Sequence, residues 1–153
     1  MATKGPLSVR LEFSSAFEML DFVEVVSDHI CKDIGLDDDA IHWVSVAVRE
    51  SVANAIKHGN QNDAGKKVFV AFDGAFDGIP ELCILVRDQG DGFDPGDVAD
   101  PLAPENILKG SGRGIFLMRN FMDEVVLRRV PEGGMEVRMV KRLLPAGTRD
   151  LSA

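Results

Sequence analysis

Three clusters of residues have types and spacing suited to chemistry. Glu50, Asn54 and His58 recur at i, i+4 and i+8, so on a helix they fall on one stripe. Their neighbours Ala47, Ser51, Ala53 and Ala55 are small, which leaves room for a ligand to approach. A carboxylate one turn from an amide pairs a proton acceptor with an oxygen ligand for a metal ion; a solvated helix face shows the same pattern. The second cluster is Asp88-Gln89-Gly90-Asp91-Gly92, at the end of an apolar run. Glycine lets main chain come close to a flat ligand, and a fixed Asp accepts a hydrogen bond from an exocyclic amine such as that of adenine; the plain alternative is an Asp/Gly turn. The third is Gly110-Ser111-Gly112-Arg113-Gly114. Ahead of a helix, its free N–H groups and the helix dipole make an anion site. It is not a phosphate-binding P-loop, because no Gly-Lys-Ser/Thr follows, and no strand runs straight into it as a dinucleotide fingerprint requires.

These clusters need elements to hold them. Leu7, Val9, Leu11 and Phe13 alternate with polar residues, which predicts a half-buried strand from Pro6 to Phe13, placed at a sheet edge. Ser15 followed by Glu18 reads as a capping box, and apolar residues at Ala16, Leu20, Val23, Val26, Ile30 and Ile34 predict a helix ending at Gly35. Asp37-Asp38-Asp39 supplies the next N-cap, and Ile41, Val44, Val48, Val52 and Ala55 extend a long helix towards Gly59. Lys67 to Phe72 and Leu82 to Arg87 read as a hairpin, with Asp73-Gly74 and Gly78-Ile79-Pro80 as turn residues. Residues 88–114 hold six glycines, three prolines and five aspartates, the composition of a long functional loop such as a lid. A short helix from about Gly114 to Met122 follows, then strands at Glu124 to Val130 and Met135 to Leu143 joined by the tight turn Pro131-Glu132-Gly133-Gly134. The expected fold is an α/β (α+β) two-layer sandwich, a mostly antiparallel sheet with the helices on one face.

Bulk properties narrow the field. The 153 residues suit one domain. Lys and Arg total 17 against 25 Asp and Glu, a net charge of −8, which argues against direct grip on nucleic acid or on an anionic membrane surface. Cys31 and Cys83 are too few for a disulfide framework and suit a reducing cytoplasm. Met1 to Pro6 lacks a signal peptide's apolar run, and no apolar run is long enough to span a bilayer.

Taken in order, the clusters resemble the N, G1 and G2 boxes of the GHKL ATP-binding superfamily. Glu50-Ser51-Val52-Ala53-Asn54-Ala55-Ile56-Lys57-His58-Gly59 and Gly112-Arg113-Gly114-Ile115-Phe116-Leu117-Met118-Arg119-Asn120-Phe121-Met122-Asp123-Glu124-Val125 resemble, within it, the bacterial anti-sigma-factor serine/threonine protein kinases. The likeness runs from about residue 7 to residue 143. It implies a single histidine-kinase-like ATPase domain over 1–153, with an ATP lid at about 94–112. It further implies that Asn54 binds Mg²⁺ bridging the ATP phosphates and that Glu50 is the general base for a Ser or Thr hydroxyl on a partner protein. Asp88 would read adenine, with Gly90 and Gly92 shaping the base pocket. Gly110, Ser111, Gly112 and Gly114 would cradle phosphates, with Lys109, Arg113 and His58 as further polar contacts. The implied partners are a sigma factor and an anti-anti-sigma protein of the STAS type, and the unpaired first strand allows a homodimer. A non-catalytic nucleotide-binding partner switch is the alternative on the same fold. One position departs from the family: Met135 stands where a threonine commonly supports the adenine site.

Overall fold

The computed structural model describes residues 5–91 and 119–143. Among these, the strands are β1 (Leu7–Ser14), β2 (Lys67–Ala75), β3 (Glu81–Arg87), β4 (Glu124–Arg129) and β5 (Met135–Arg142). The helices α1 (Met19–Ile34) and α2 (Asp38–Asn54) lie between β1 and β2, and α2 runs on into a single π turn, Ala55–Gly59. Every strand pairing is antiparallel, in the order β1-β2-β3-β5-β4. β1 is an edge strand, as its short alternating pattern predicts.

The alternation of side chains builds the second layer. In β2, Val68, Val70 and Phe72 are buried while Phe69, Ala71 and Asp73 are half-buried; Leu82, Ile84 and Val86 do the same in β3. Their buried face packs with Val23 and Ile30 of α1 and Val44, Val48 and Val52 of α2. Each such side chain, fully withdrawn from water, contributes about 1.5–3 kcal/mol before entropy is counted. This α+β arrangement is the expected one.

Local signals hold where no long-range partner competes. Asp37 caps α2, its carboxylate accepting from the Ala40 N–H at 2.8 Å. Gly35 ends α1 at φ +101°, its N–H donating to the Cys31 and Lys32 carbonyls. The Pro131–Gly134 turn forms with Gly133 and Gly134 at φ +105° and +97°.

Three expectations need correcting. Ser15 does not cap α1: its hydroxyl donates to the Lys66 carbonyl and accepts from the Asn60 amide, each at 2.8 Å, so the helix starts at Met19 behind an uncapped Glu18. Asp73-Gly74 is strand rather than turn, because Gly74 sits between Leu7 and Leu82 in the ladder. The long second helix is not α-helical to its end, since the π turn intervenes before Gly59. Of the short helix expected from Gly114, Arg119–Phe121 are helical; its earlier part, the expected lid at 94–112 and the segment after Leu143 lie outside the described residues.

Candidate functional site

Asp88 lies one residue beyond β3 and is only 5% exposed. Its own N–H donates to the Met135 carbonyl at 3.0 Å. One carboxylate oxygen, Oδ1, accepts from the N–H groups of Gly90 (2.9 Å) and Met135 (3.1 Å). The bond that position 135 gives to this carboxylate comes from main chain. Oδ2 has no hydrogen-bond donor among the described residues and faces Gly59, where an added Cβ would lie 2.1 Å from it. Burial pushes the Asp88 carboxyl above its ordinary range, opposed by the Gly90 and Met135 N–H groups and by the charge of Lys66. A buried acceptor with one oxygen occupied and one open suits a single N–H donor from a ligand.

Close main-chain packing shapes this spot. A Cβ at Gly90 would meet the Gly59 carbonyl oxygen at 1.9 Å, and one at Gly134 would meet the Asp88 carbonyl oxygen at 2.2 Å. Real side chains do not tolerate such approaches, so three chain segments converge here because each presents glycine. Gly90 was expected as part of the pocket; Gly59 and Gly134 were not. A Gly-Gly pair in a tight turn is sufficiently explained by the turn itself, and only the fold reveals its second task.

Gly59, the last residue of the π turn that continues α2, brings the end of that helix against Asp88. Glu50 and Asn54 are half-buried on α2. Among the described residues the Glu50 carboxylate has no ion pair or hydrogen bond, and the Asn54 side chain caps nothing. Both are thus available to a ligand. His58 is exposed on the π turn. Main-chain bonding there reaches five residues back, from the Asn60 N–H to the Ala55 carbonyl at 2.8 Å, so the regular α-helical stripe projected through Glu50, Asn54 and His58 stops at Asn54. Gly92, Lys109, Gly110, Ser111, Gly112, Arg113 and Gly114 lie outside the described residues.

One polar residue of this region carries no local signal of its role. Asn60, directly after Gly59, is 1% exposed, and its side-chain oxygen accepts from the Gln89 N–H next to Asp88. Nothing local pairs two residues 29 positions apart.

Residues 15–141 match the histidine kinase-like ATPase domain family. The chain belongs to that family. Curated relatives of this histidine kinase-like ATPase domain cover most of it. An anti-sigma F factor of Bacillus velezensis is 32% identical over 139 residues, 88% of this chain and 92% of the relative. An anti-sigma F factor of Geobacillus thermodenitrificans is 35% identical over the same shares. A serine-protein kinase RsbW of Bacillus licheniformis is 34% identical over 132 residues, 82% of this chain and 79% of the relative. The five-stranded antiparallel sheet with its helices is the architecture expected of a GHKL-type member of this family.

Proposed function

We propose that this chain is an ATP-dependent anti-sigma-factor protein kinase, which phosphorylates a Ser or Thr of an anti-anti-sigma protein of the STAS type and sequesters a sigma factor. The observation that carries the reading is Asp88: a buried carboxylate with Oδ1 held by two main-chain N–H groups and Oδ2 open beside the helix that bears Glu50 and Asn54. Family membership and the names of the relatives support it.

In this reading Asp88 Oδ2 accepts the adenine amine, and Gly59, Gly90 and Gly134 let the three chain segments around that carboxylate close on one another. Gly92 completes the base pocket, while Gly110, Ser111, Gly112 and Gly114, with Lys109, Arg113 and His58, serve the phosphates. Asn54 offers a neutral amide oxygen, and no cluster of three or more acidic, His or Cys ligands stands together among the described residues. That donor set fits Mg²⁺, which takes one or two protein ligands and completes its shell with phosphate oxygens and water. When bound, Mg²⁺ neutralises charge on the phosphates. Glu50 takes the proton of the partner's hydroxyl as its oxygen attacks the γ-phosphorus and the bond to ADP breaks. The phosphoacceptor comes from another protein, and the net charge of −8 leaves acidic surface for basic partner faces.

We further read residues 7–143 as one working domain with its lid at 94–112, acting in the cytoplasm where a sigma factor operates, and able to form a homodimer. Among the described residues no helix is long and apolar enough to cross a membrane.

The test is incubation with γ-labelled ATP, Mg²⁺ and candidate anti-anti-sigma proteins. Transfer to the partner that falls by about 10²–10⁴-fold in Glu50→Ala, with ATP binding kept, supports the kinase. Tight binding of nucleotide and partner without any transfer overturns it in favour of the non-catalytic switch.

A further inference from the structure

Asn60 ends the π turn and engages both its side-chain N–H groups and its side-chain oxygen. Nδ2 donates to the Ser15 hydroxyl at 2.8 Å and to the Lys67 carbonyl at 3.0 Å, and Oδ1 accepts from the Gln89 N–H at 2.7 Å. Its main chain is engaged as well, the N–H with Ala55 and the carbonyl with the Asp63 N–H. Gln89 returns a bond to the same region, its side-chain carbonyl accepting from the Lys67 N–H at 2.8 Å. One buried amide thus ties together the end of β1, the start of β2 and the segment after β3.

The bond to Gln89 matters most, because the Gln89 N–H and the Asp88 carbonyl share one rigid peptide plane. On the other side, the Asp88 N–H is held by the Met135 carbonyl. With the planes before and after it fixed, the Cα of Asp88 has little freedom. Its Oδ1 is then pinned by Gly90 and Met135, so the direction of Oδ2 is set before any ligand arrives. Groups preorganised in this way bind without an ordering cost.

We propose that Asn60 is a positioning residue for base recognition: through the Gln89 peptide it aims Asp88 Oδ2 at the amine of the bound purine. This rests on reading Asp88 as the adenine acceptor. A residue that only stabilised the fold would weaken every nucleotide alike. One that aims Oδ2 affects only nucleotides that carry the amine.

The experiment compares dissociation constants for ATP and inosine triphosphate, in which a carbonyl oxygen replaces the amine, using the full chain. Wild type is expected to prefer ATP by roughly tenfold or more, the value of a hydrogen bond to a charged acceptor. Asn60→Leu, similar in size and without polar atoms, is expected to remove most of that preference and leave inosine triphosphate affinity unchanged. Ser15→Ala, which cuts the far end of the network, is expected to lower the melting temperature with the preference intact. Equal weakening of both nucleotides by Asn60→Leu, or an unchanged preference, overturns the proposal. Asp88→Asn separates the underlying reading: it turns the acceptor into a donor and is expected to invert the preference. If wild type shows no preference, or Asp88→Asn keeps it, the base-reading role of Asp88 falls, and this proposal with it. If Asn60→Leu does not fold, amide hydrogen exchange on nucleotide-free wild type decides. The Gln89 N–H is expected to be strongly protected, and exchange near the rate of an open loop overturns the proposal.

Discussion

Trp43 and Phe121 lie face to face, their ring centroids 3.7 Å apart and their planes within 5° of parallel. The pair joins the start of α2 to the residues just before β4, two parts of the chain far apart in sequence. His42 meets the Trp43 ring edge-on, centroids 4.9 Å apart. Stacked aromatic pairs add about 0.5–1.5 kcal/mol beyond the area they bury. Phe121→Ala is expected to destabilise the protein by about 2 kcal/mol, a fall in melting temperature of about 4–8 °C. Trp43 is the single tryptophan, so its emission is expected to shift to the red in the same variant. An unchanged spectrum would show that the stack does not persist in solution.

The raised Asp88 carboxyl makes a pH prediction with a definite sign. Burial favours its protonated form in the folded chain, so the folded state holds the proton to higher pH than the unfolded state does. Between the ordinary carboxylate value and the raised one, stability therefore declines as pH rises. The stability of wild type relative to Asp88→Asn is expected to fall with rising pH across that window. ATP affinity moves the opposite way, because the charged oxygen is the better acceptor: it rises with pH in wild type and stays flat in the variant. Parallel thermal melts and ATP titrations from about pH 4 to pH 7 would check both.

Two glycines in left-handed conformations allow a controlled comparison. Gly78 has φ +77° with nothing within 4 Å of an added Cβ, whereas at Gly134, φ +97°, the Cβ would collide with the Asp88 carbonyl. Gly78→Ala is expected to cost about 1 kcal/mol from backbone strain alone. Gly134→Ala is expected to cost about 3 kcal/mol or more and also to weaken ATP binding, because β5 must move away from Asp88. Urea denaturation and nucleotide titration of the pair test this; equal costs would contradict the close approach.

The cysteines differ in access. Burial pushes the Cys31 thiol up to about 12 and it has no exposed surface, so at pH 8 only about one molecule in ten thousand carries the thiolate. Cys83 is also raised by burial but is part-exposed on β3. A thiol titration of native protein is expected to find Cys83 slowly and Cys31 not at all, with both reacting in denaturant. Two fast thiols in native protein would refute it.

Most of the framework was legible because it depends on short-range pattern. Val68, Val70 and Phe72 face inwards at alternate positions whatever else the chain does, and Asp37 and Gly35 act on residues within one turn of themselves. The failures share a cause. Ser15 resembles a cap, but Asn60 and Lys66 claim its hydroxyl from 45 and 51 residues away. Gly74 resembles a turn, but strands on both sides enclose it. Among the candidate residues, Asp88, Glu50 and Asn54 stand out by type and spacing. Gly59, Asn60 and Gly134 do not, because their work is to accept neighbours that only the finished fold delivers.

The surroundings of Asp88 are built chiefly of main chain: two N–H groups hold its carboxylate, and Gly59, Gly90 and Gly134 let neighbouring segments close on one another. Side-chain identity therefore matters unevenly around it. Position 135 can drift among residues that fill the same buried space, since its donor is part of the peptide, while positions 90 and 134 have no substitute for hydrogen. A randomised library selected for ATP binding is expected to return varied apolar residues at 135 and glycine alone at 90 and 134, so the base choice proposed for Asp88 would outlive extensive divergence of the sequence around it.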